Sequence, residues 1–171
     1  MADYHKMWEE LGMNVELHDQ LCEVLPQAFG DVYLSQDNRP EGMDYYNFVV
    51  SEIHGVRPAE LIEHQKKGGK VFGTFCVYVP DEIVFAADAI ATGLCGGSQF
   101  WVPGGEKVLP TNTCPLIKAS VGARLDRTCP FFRIADMYVG ETTCDGKKKA
   151  WEILAEDVPV HVMNLPQMKR A

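Results

Sequence analysis

The chain has 171 residues, of which 46% are apolar, 10% aromatic and 23% charged. That is enough to bury the core of one ordinary domain, and it lies outside the composition of disordered or collagen-like chains. With 16 basic against 24 acidic side chains the formal charge is −8, which argues against non-specific binding to nucleic acid or an anionic membrane. No apolar run of about 18 residues is present, and Met1-Ala2-Asp3-Tyr4-His5-Lys6 lacks the basic-then-apolar layout of a signal peptide, so a cytoplasmic protein is expected.

Apolar residues at Tyr4, Trp8, Leu11, Val15, Leu17, Leu21 and Leu25 recur at helical spacing, which predicts an amphipathic helix over 4–25, broken near Gly12 and closed by Pro26 and Gly30. Ser35 to Gly42 holds Asp37, Asn38 and Pro40 and reads as a loop. Tyr45 to Ile53 is aromatic and apolar and fits helix or strand. Pro58-Ala59-Glu60-Leu61-Ile62-Glu63 opens a short helix that Gly68-Gly69 ends.

Lys70 to Val79 is β-branched and aromatic and predicts a buried strand. Pro80-Asp81-Glu82 starts a helix with Ile83, Ala86, Ala87 and Ile90 as its apolar positions, stopped by Gly93. Further expectations are a short strand at 99–102, a helix at 116–125, a strand at 134–139, a helix at 145–156 with Trp151 and Leu154 on its stripe, and a strand at 158–165. Strands alternating with helices imply an α/β fold: a parallel sheet flanked by helices on both faces, a Rossmann- or flavodoxin-like layer, preceded by an N-terminal helical segment. The expected division is a helical and loop segment at 1–57 and an α/β domain at 58–171.

The six cysteines are Cys22, Cys76, Cys95, Cys114, Cys129 and Cys144. In a reducing compartment structural disulfides are rare, which directs attention to metal or redox chemistry. Cys22 sits in the amphipathic stretch and reads as an ordinary buried thiol. The other five are placed differently. Cys114 precedes Pro115 at a helix start, Cys144 precedes the 145–156 helix, Cys76 is in the second half of its strand, Cys95 is in a Gly-rich turn, and Cys129 precedes Pro130.

Successive spacings of 15 to 19 residues are too wide for zinc ribbons or ferredoxins, but suit ligands drawn from successive turns of an α/β sheet. Helix N-termini lower thiol pKa values and donate N–H groups to sulfur. Gly93, Gly96, Gly97, Gly104, Gly105 and Gly146 would let backbone approach a bulky cluster. On the residues alone an iron–sulfur cluster, a zinc site and unligated cysteines all stay open.

Thr111-Asn112-Thr113-Cys114-Pro115-Leu116-Ile117-Lys118-Ala119-Ser120 and Val139-Gly140-Glu141-Thr142-Thr143-Cys144-Asp145-Gly146-Lys147-Lys148-Lys149 resemble the 2-hydroxyacyl-CoA dehydratase and benzoyl-CoA reductase superfamily (2-hydroxyglutaryl-CoA dehydratase D-component-like). The nearest branch is the double-cubane-cluster proteins. Segments 73–82, 93–98 and 158–167 fit that branch too, so the resemblance covers about 70–169.

It implies a [4Fe–4S] cluster held in part by Cys114 and Cys144, with a third ligand from a later domain, or a double cubane [8Fe–9S] that also uses Cys76, Cys95 and Cys129. It implies an ATP-hydrolysing iron–sulfur activator protein as electron donor, a homodimer, and a second α/β domain expected to be missing here. The implied function is a dehydratase or reductase doing radical or reductive chemistry with a low-potential electron. The alternative is a non-catalytic electron-relay or cluster-storage module. Catalytic and substrate-binding residues are not assigned.

Lys147-Lys148-Lys149 reads as a solvated face, with attraction of an anionic CoA or nucleotide phosphate as the alternative. Glu82 reads as a first-turn acid, with a general acid or base role as its alternative. His161 reads as a hydrogen-bonded core histidine, and His5, His18, His54 and His64 show no pairing in the sequence. Neither a phosphate-binding Gly-x-x-x-x-Gly-Lys loop nor a dinucleotide-binding glycine fingerprint is present.

Overall fold

A computed structural model describes residues 3–94 and 96–166. Helices α1 (His5–Glu10) and α2 (Val15–Phe29) are separated at Gly12, whose φ of 68° lies in the left-handed region. Pro26 does not close α2. It lies inside the helix, where it removes one main-chain bond, and the chain runs on into a π-helical turn at Gly30–Leu34. Helix α3 (Met43–Ser51) settles the undecided segment as helical, and α4 (Val56–Lys66) follows.

The sheet contains β1 (Lys70–Thr74), β2 (Ala89–Gly93), β3 (Met137–Glu141) and β4 (Val160–Met163) in the order β2-β1-β3-β4. All three pairings are parallel, with Val71 opposite Ile90, Gly73 opposite Tyr138 and Val139 opposite His161. Between the strands lie α5 (Asp81–Ala86), a 3₁₀ turn (Gln99–Trp101), α6 (Val102–Glu106), α7 (Pro115–Leu125), α8 (Pro130–Ile134) and α9 (Asp145–Leu154). The chain leaves β1 toward one edge for β2 and then returns across it to β3 and β4. Right-handed crossovers therefore put α5 on the opposite face from α7 and α9. This is the expected α/β architecture with helices on both faces.

Further elements differ from expectation. The strand expected at 134–139 runs Met137–Glu141, because Ile134 ends α8. The first strand ends at Thr74 rather than Val79, because the chain turns at 76–79, where the Val79 N–H donates to Cys76 O at 3.2 Å. The helix expected to reach Ile90 stops at Ala86. Asp88 takes a φ of 53°, and Ile90 becomes the β2 partner of Val71; a short apolar run carries no period that separates the two outcomes.

The strand expected at 99–102 is helical. Ser98 Oγ accepts from the Phe100 N–H at 3.2 Å, Pro103 occupies the first turn of α6, and Trp101 Nε1 donates to Thr128 Oγ1 at 2.7 Å. Helices α6 and α7 then touch backbone to backbone: a Cβ on Gly122 would lie 1.9 Å from Trp101 O, and one on Gly105 would lie 2.0 Å from Lys118 O. Gly104 and Gly105 thus face α7 rather than a cluster.

The core joins Val71 and Tyr138 of the sheet with Leu21, Leu61, Leu94, Phe132, Trp151 and Leu154. The N-terminal helices are tied to the segment around α8. The Asn14 N–H donates to Arg127 O at 2.9 Å and Arg133 Nε to Leu11 O at 2.8 Å.

Candidate functional site

The carboxyl ends of β1 and β3 point to the same edge of the sheet, the edge where parallel α/β folds carry their ligands. Cys76 lies two residues beyond β1, half-buried in the turn and outside the strand. Cys144 is the exposed N-cap of α9 and Cys114 the exposed N-cap of α7. Neither helix start has a side-chain cap, so the positive ends of both helices face thiolates there, with the first-turn N–H groups of α9 and, because Pro115 has none and Ile117 donates to Cys114 O, the Leu116 N–H of α7.

Gly146 is where α7 and α9 meet. A Cβ there would lie 2.9 Å from Ile117 Cδ1, 3.5 Å from Thr113 Cγ2 and 4.0 Å from Cys144 Sγ. The turn carrying Cys114 therefore lies against the turn carrying Cys144. Cys95 lies outside the described residues. Cys129 is a buried core thiol ahead of α8, which leads into the start of β3, and the structure does not bring it to the carboxyl edge. Burial pushes its pKa up to about 11, against the opposing pull of the Phe132 and Phe131 N–H groups.

The lysine run is not one solvated face. Lys148 and Lys149 are exposed and pair with Asp145 at 3.2 Å and Glu152 at 2.7 Å. Lys147 turns inward, and its ammonium pairs with Glu141 Oε1. Glu141 is fully buried at the end of β3, accepts a further bond from Thr143 Oγ1 at 3.1 Å, and has its Oε2 unpartnered. Partial burial pulls the Lys147 ammonium down, but the Glu141 carboxylate, with the Cys76 and Cys144 thiols adding to it, leaves its pKa raised. One ammonium thus lies in the field of both Cys76 and Cys144. Sequence reading passed over Glu141 as a functional residue; its place at the carboxyl end of an α/β strand was the available signal.

Beside Cys76 opens a cleft of about 590 Å³ lined by Thr74, Tyr78, Pro80, Glu82 and Gly93. Glu82 is a first-turn acid of α5 and faces this cleft. Two residues lining the cleft are apolar and turned to solvent: Val77 is 93% exposed, and Tyr78 is exposed as well. His161, expected in the core, is exposed on β4, because β4 is an edge strand.

The described residues hold a second group that the sequence reading left unassigned. His18, Cys22 and His54 bring their ligating atoms within 4.8 Å of one another. The spacing of His18 and Cys22 by one helical turn was visible in the sequence; the approach of His54 was not. Among the described residues no set of three His, Cys, Asp or Glu that includes Cys76, Cys114 or Cys144 closes that tightly.

A doubly wound parallel α/β domain with thiols at the carboxyl edge and at two helix starts belongs to the class that carries its chemistry between strand ends. The chain belongs to the 2-hydroxyglutaryl-CoA dehydratase, D-component family, which matches residues 76–171. It is also 47% identical over 106 residues to the Escherichia coli (strain K12) protein named "Putative dehydratase subunit YjiM". That match takes in 62% of this chain and 28% of the relative. Among the described residues no helix is long and apolar enough to cross a membrane.

Proposed function

We propose that the chain is the iron–sulfur-binding domain of a dehydratase-like enzyme, with Cys76, Cys114 and Cys144 as thiolate ligands and Cys95 joining them from the segment after β2. The observation that supports this reading is the packing of the turn bearing Cys114 on Gly146, beside Cys144; the Lys147 ammonium, which feels both the Cys144 and the Cys76 thiols, links the β1 turn to that pair. The donor set fits such a group. Thiolates are the ligands such a cluster takes, and two of the three stand at uncapped helix starts. Cys129, in the core, is left out of this set.

When bound, a [4Fe–4S] or double-cubane [8Fe–9S] cluster supplies one-electron chemistry at low potential. The chain's own residues do the rest. The first-turn N–H groups of α9 and the Leu116 N–H of α7 would donate to sulfur, and Lys147, fixed by Glu141, offsets the charge of the thiolates. Glu82 sits where a substrate in the cleft would meet a carboxylate. The proposed partners are an ATP-hydrolysing iron–sulfur activator, a second copy of the chain, and a further α/β domain seated on the apolar rim around Val77 and Tyr78, in a cytoplasmic setting.

The test is iron and acid-labile sulfide per chain after anaerobic reconstitution, followed by turnover of a 2-hydroxyacyl-CoA with an activator. Both elements are expected in wild type and largely lost in Cys114→Ser and Cys144→Ser. A chain without iron and sulfide, or serine variants that keep both in full, would overturn the reading. Cluster uptake without turnover would instead favour the electron-relay role.

A further inference from the structure

The N-terminal segment carries a separate group of ligating side chains. His18 and Cys22 are four residues apart on α2, so both project from one face of that helix. The turn between α3 and α4 brings His54 to the same face, with His54 Nδ1 2.9 Å from His18 Nε2. Cys22 Sγ stands 3.7 Å from both ring nitrogens of His18. His18 is fully buried, and Cys22 and His54 are half-buried.

The neighbours hold the rings without competing for their nitrogens. Trp8 Nε1 donates to His54 O at 2.8 Å, and the indole meets the His18 ring edge-on with centroids 4.2 Å apart. The nearest carboxylate on α2, Asp19, faces outward and pairs with His5 at 3.1 Å.

These separations are close to those a tetrahedral ion requires. With Zn–N bonds of about 2.0–2.1 Å and a Zn–S bond of about 2.3 Å, adjacent ligand atoms stand about 3.3 Å apart for N···N and about 3.6 Å for N···S. The 2.9 and 3.7 Å observed differ from these by a few tenths of an ångström, within reach of small side-chain rotations. Two imidazoles and one thiol are a borderline-soft donor set that suits Zn²⁺ rather than a hard cation.

The imidazoles are already in the form an ion needs, whereas burial raises the Cys22 thiol, so the ion itself must displace that proton. Burial holds both imidazoles neutral, with pKa values lowered to about 4, as a metal ligand must be. In the metal-free pair one nitrogen donates and the other accepts. An ion taking that place moves the bridging proton to the other nitrogen of its own ring, and the Cys22 thiol proton is released, so one proton leaves per ion bound.

We propose that His18, Cys22 and His54 bind one Zn²⁺ ion, with a water molecule completing the tetrahedron. The site pins α2 to the turn ahead of α4 across 36 residues of chain and is independent of the thiols at the carboxyl edge. Its role is to fasten the N-terminal helices.

The test uses Co²⁺ as a spectroscopic substitute for Zn²⁺, added without oxygen to the full chain carrying Cys76→Ser, Cys95→Ser, Cys114→Ser and Cys144→Ser. Expected are one Co²⁺ per chain, the intense visible bands of tetrahedral coordination, and a thiolate charge-transfer band, all displaced by Zn²⁺. Adding Cys22→Ser should abolish the charge-transfer band, and adding His54→Ala should weaken binding by at least about tenfold. In the unsubstituted chain, where no variant can misfold, Zn²⁺ should slow amide exchange in α2 and at 53–56. No thiolate band, a band that survives Cys22→Ser, or exchange in α2 and at 53–56 that ignores Zn²⁺ would each overturn the proposal.

Discussion

Trp151 lies flat against Gly140: a Cβ on that glycine would stand 2.2 Å from Trp151 Cζ2, and the indole N–H donates to the carbonyl of the next residue, Glu141, at 2.9 Å. Helix α9 is thereby pressed onto β3 just before the strand delivers Cys144. Gly140→Ala must displace a buried ring that cannot yield locally, which should cost about 1–3 kcal/mol. A lowered urea midpoint with unchanged slope checks this, and the penalty should shrink when Trp151 is replaced by Leu.

The Glu141–Lys147 pair predicts an asymmetry. Glu141 is fully buried and Lys147 mostly so. Removing the cation in Lys147→Met leaves a buried carboxylate uncompensated and should cost about 3–5 kcal/mol. The double variant Glu141→Gln with Lys147→Met should be more stable than the single one. A double-mutant cycle by chemical denaturation measures this, and additive costs would contradict the pairing.

Asp136 fastens the start of β1 to the residue ahead of β3. Its carboxylate accepts from the Val71 N–H at 2.9 Å, Gln65 Nε2 at 2.9 Å and Lys70 Nζ at 3.0 Å. Burial pushes the carboxyl up, but these three bonds outweigh it and its pKa is lowered. A carboxyl whose folded pKa lies below the unfolded value stabilises above about pH 4 and loses that contribution as pH falls through the folded value. Asp136→Asn should therefore be less stable than wild type at pH 7, by about 1–3 kcal/mol, and the gap should close below pH 4. Denaturation midpoints of the two proteins against pH are the measurement.

Thiol reactivity should separate the cysteines. At pH 8 a thiol with a pKa of about 11 is ionised in only about one molecule in a thousand, and Cys129 is also shielded from reagent. Cys114 and Cys144 are exposed. Iodoacetamide followed by peptide mass spectrometry should label those two first and reach Cys129 only after denaturation. Labelling of Cys129 at the same rate would contradict its place in the core.

Much of the carboxyl edge was legible in the sequence, because helix starts carry local signals. Cys-Pro at 114–115 and Cys-Asp-Gly at 144–146 marked the openings of α7 and α9. The alternation of elements carried the parallel sheet. Strand β2 was hidden because Ala86 to Ile90 suits either period. Helix α6 was hidden because its Gly-Gly pair reads as a loop until Gly122 is seen to need a bare neighbour. The approach of His54 to His18 was out of reach, since 36 residues separate them and only packing of α2 on the α3–α4 turn joins them.

The bond from Arg133 to Leu11 spans 122 residues, and β1 needs β3 on one side to complete its pairing. During synthesis at about 5–20 residues per second, α1 and α2 would leave the ribosome roughly 6–25 s before the surface that receives them. The part of these helices that meets the α8 segment, Leu11 with it, waits for that interval. The start of the chain is thus seated late, and any pause in translation ahead of α8 lengthens the time in which that part can meet the wrong partner.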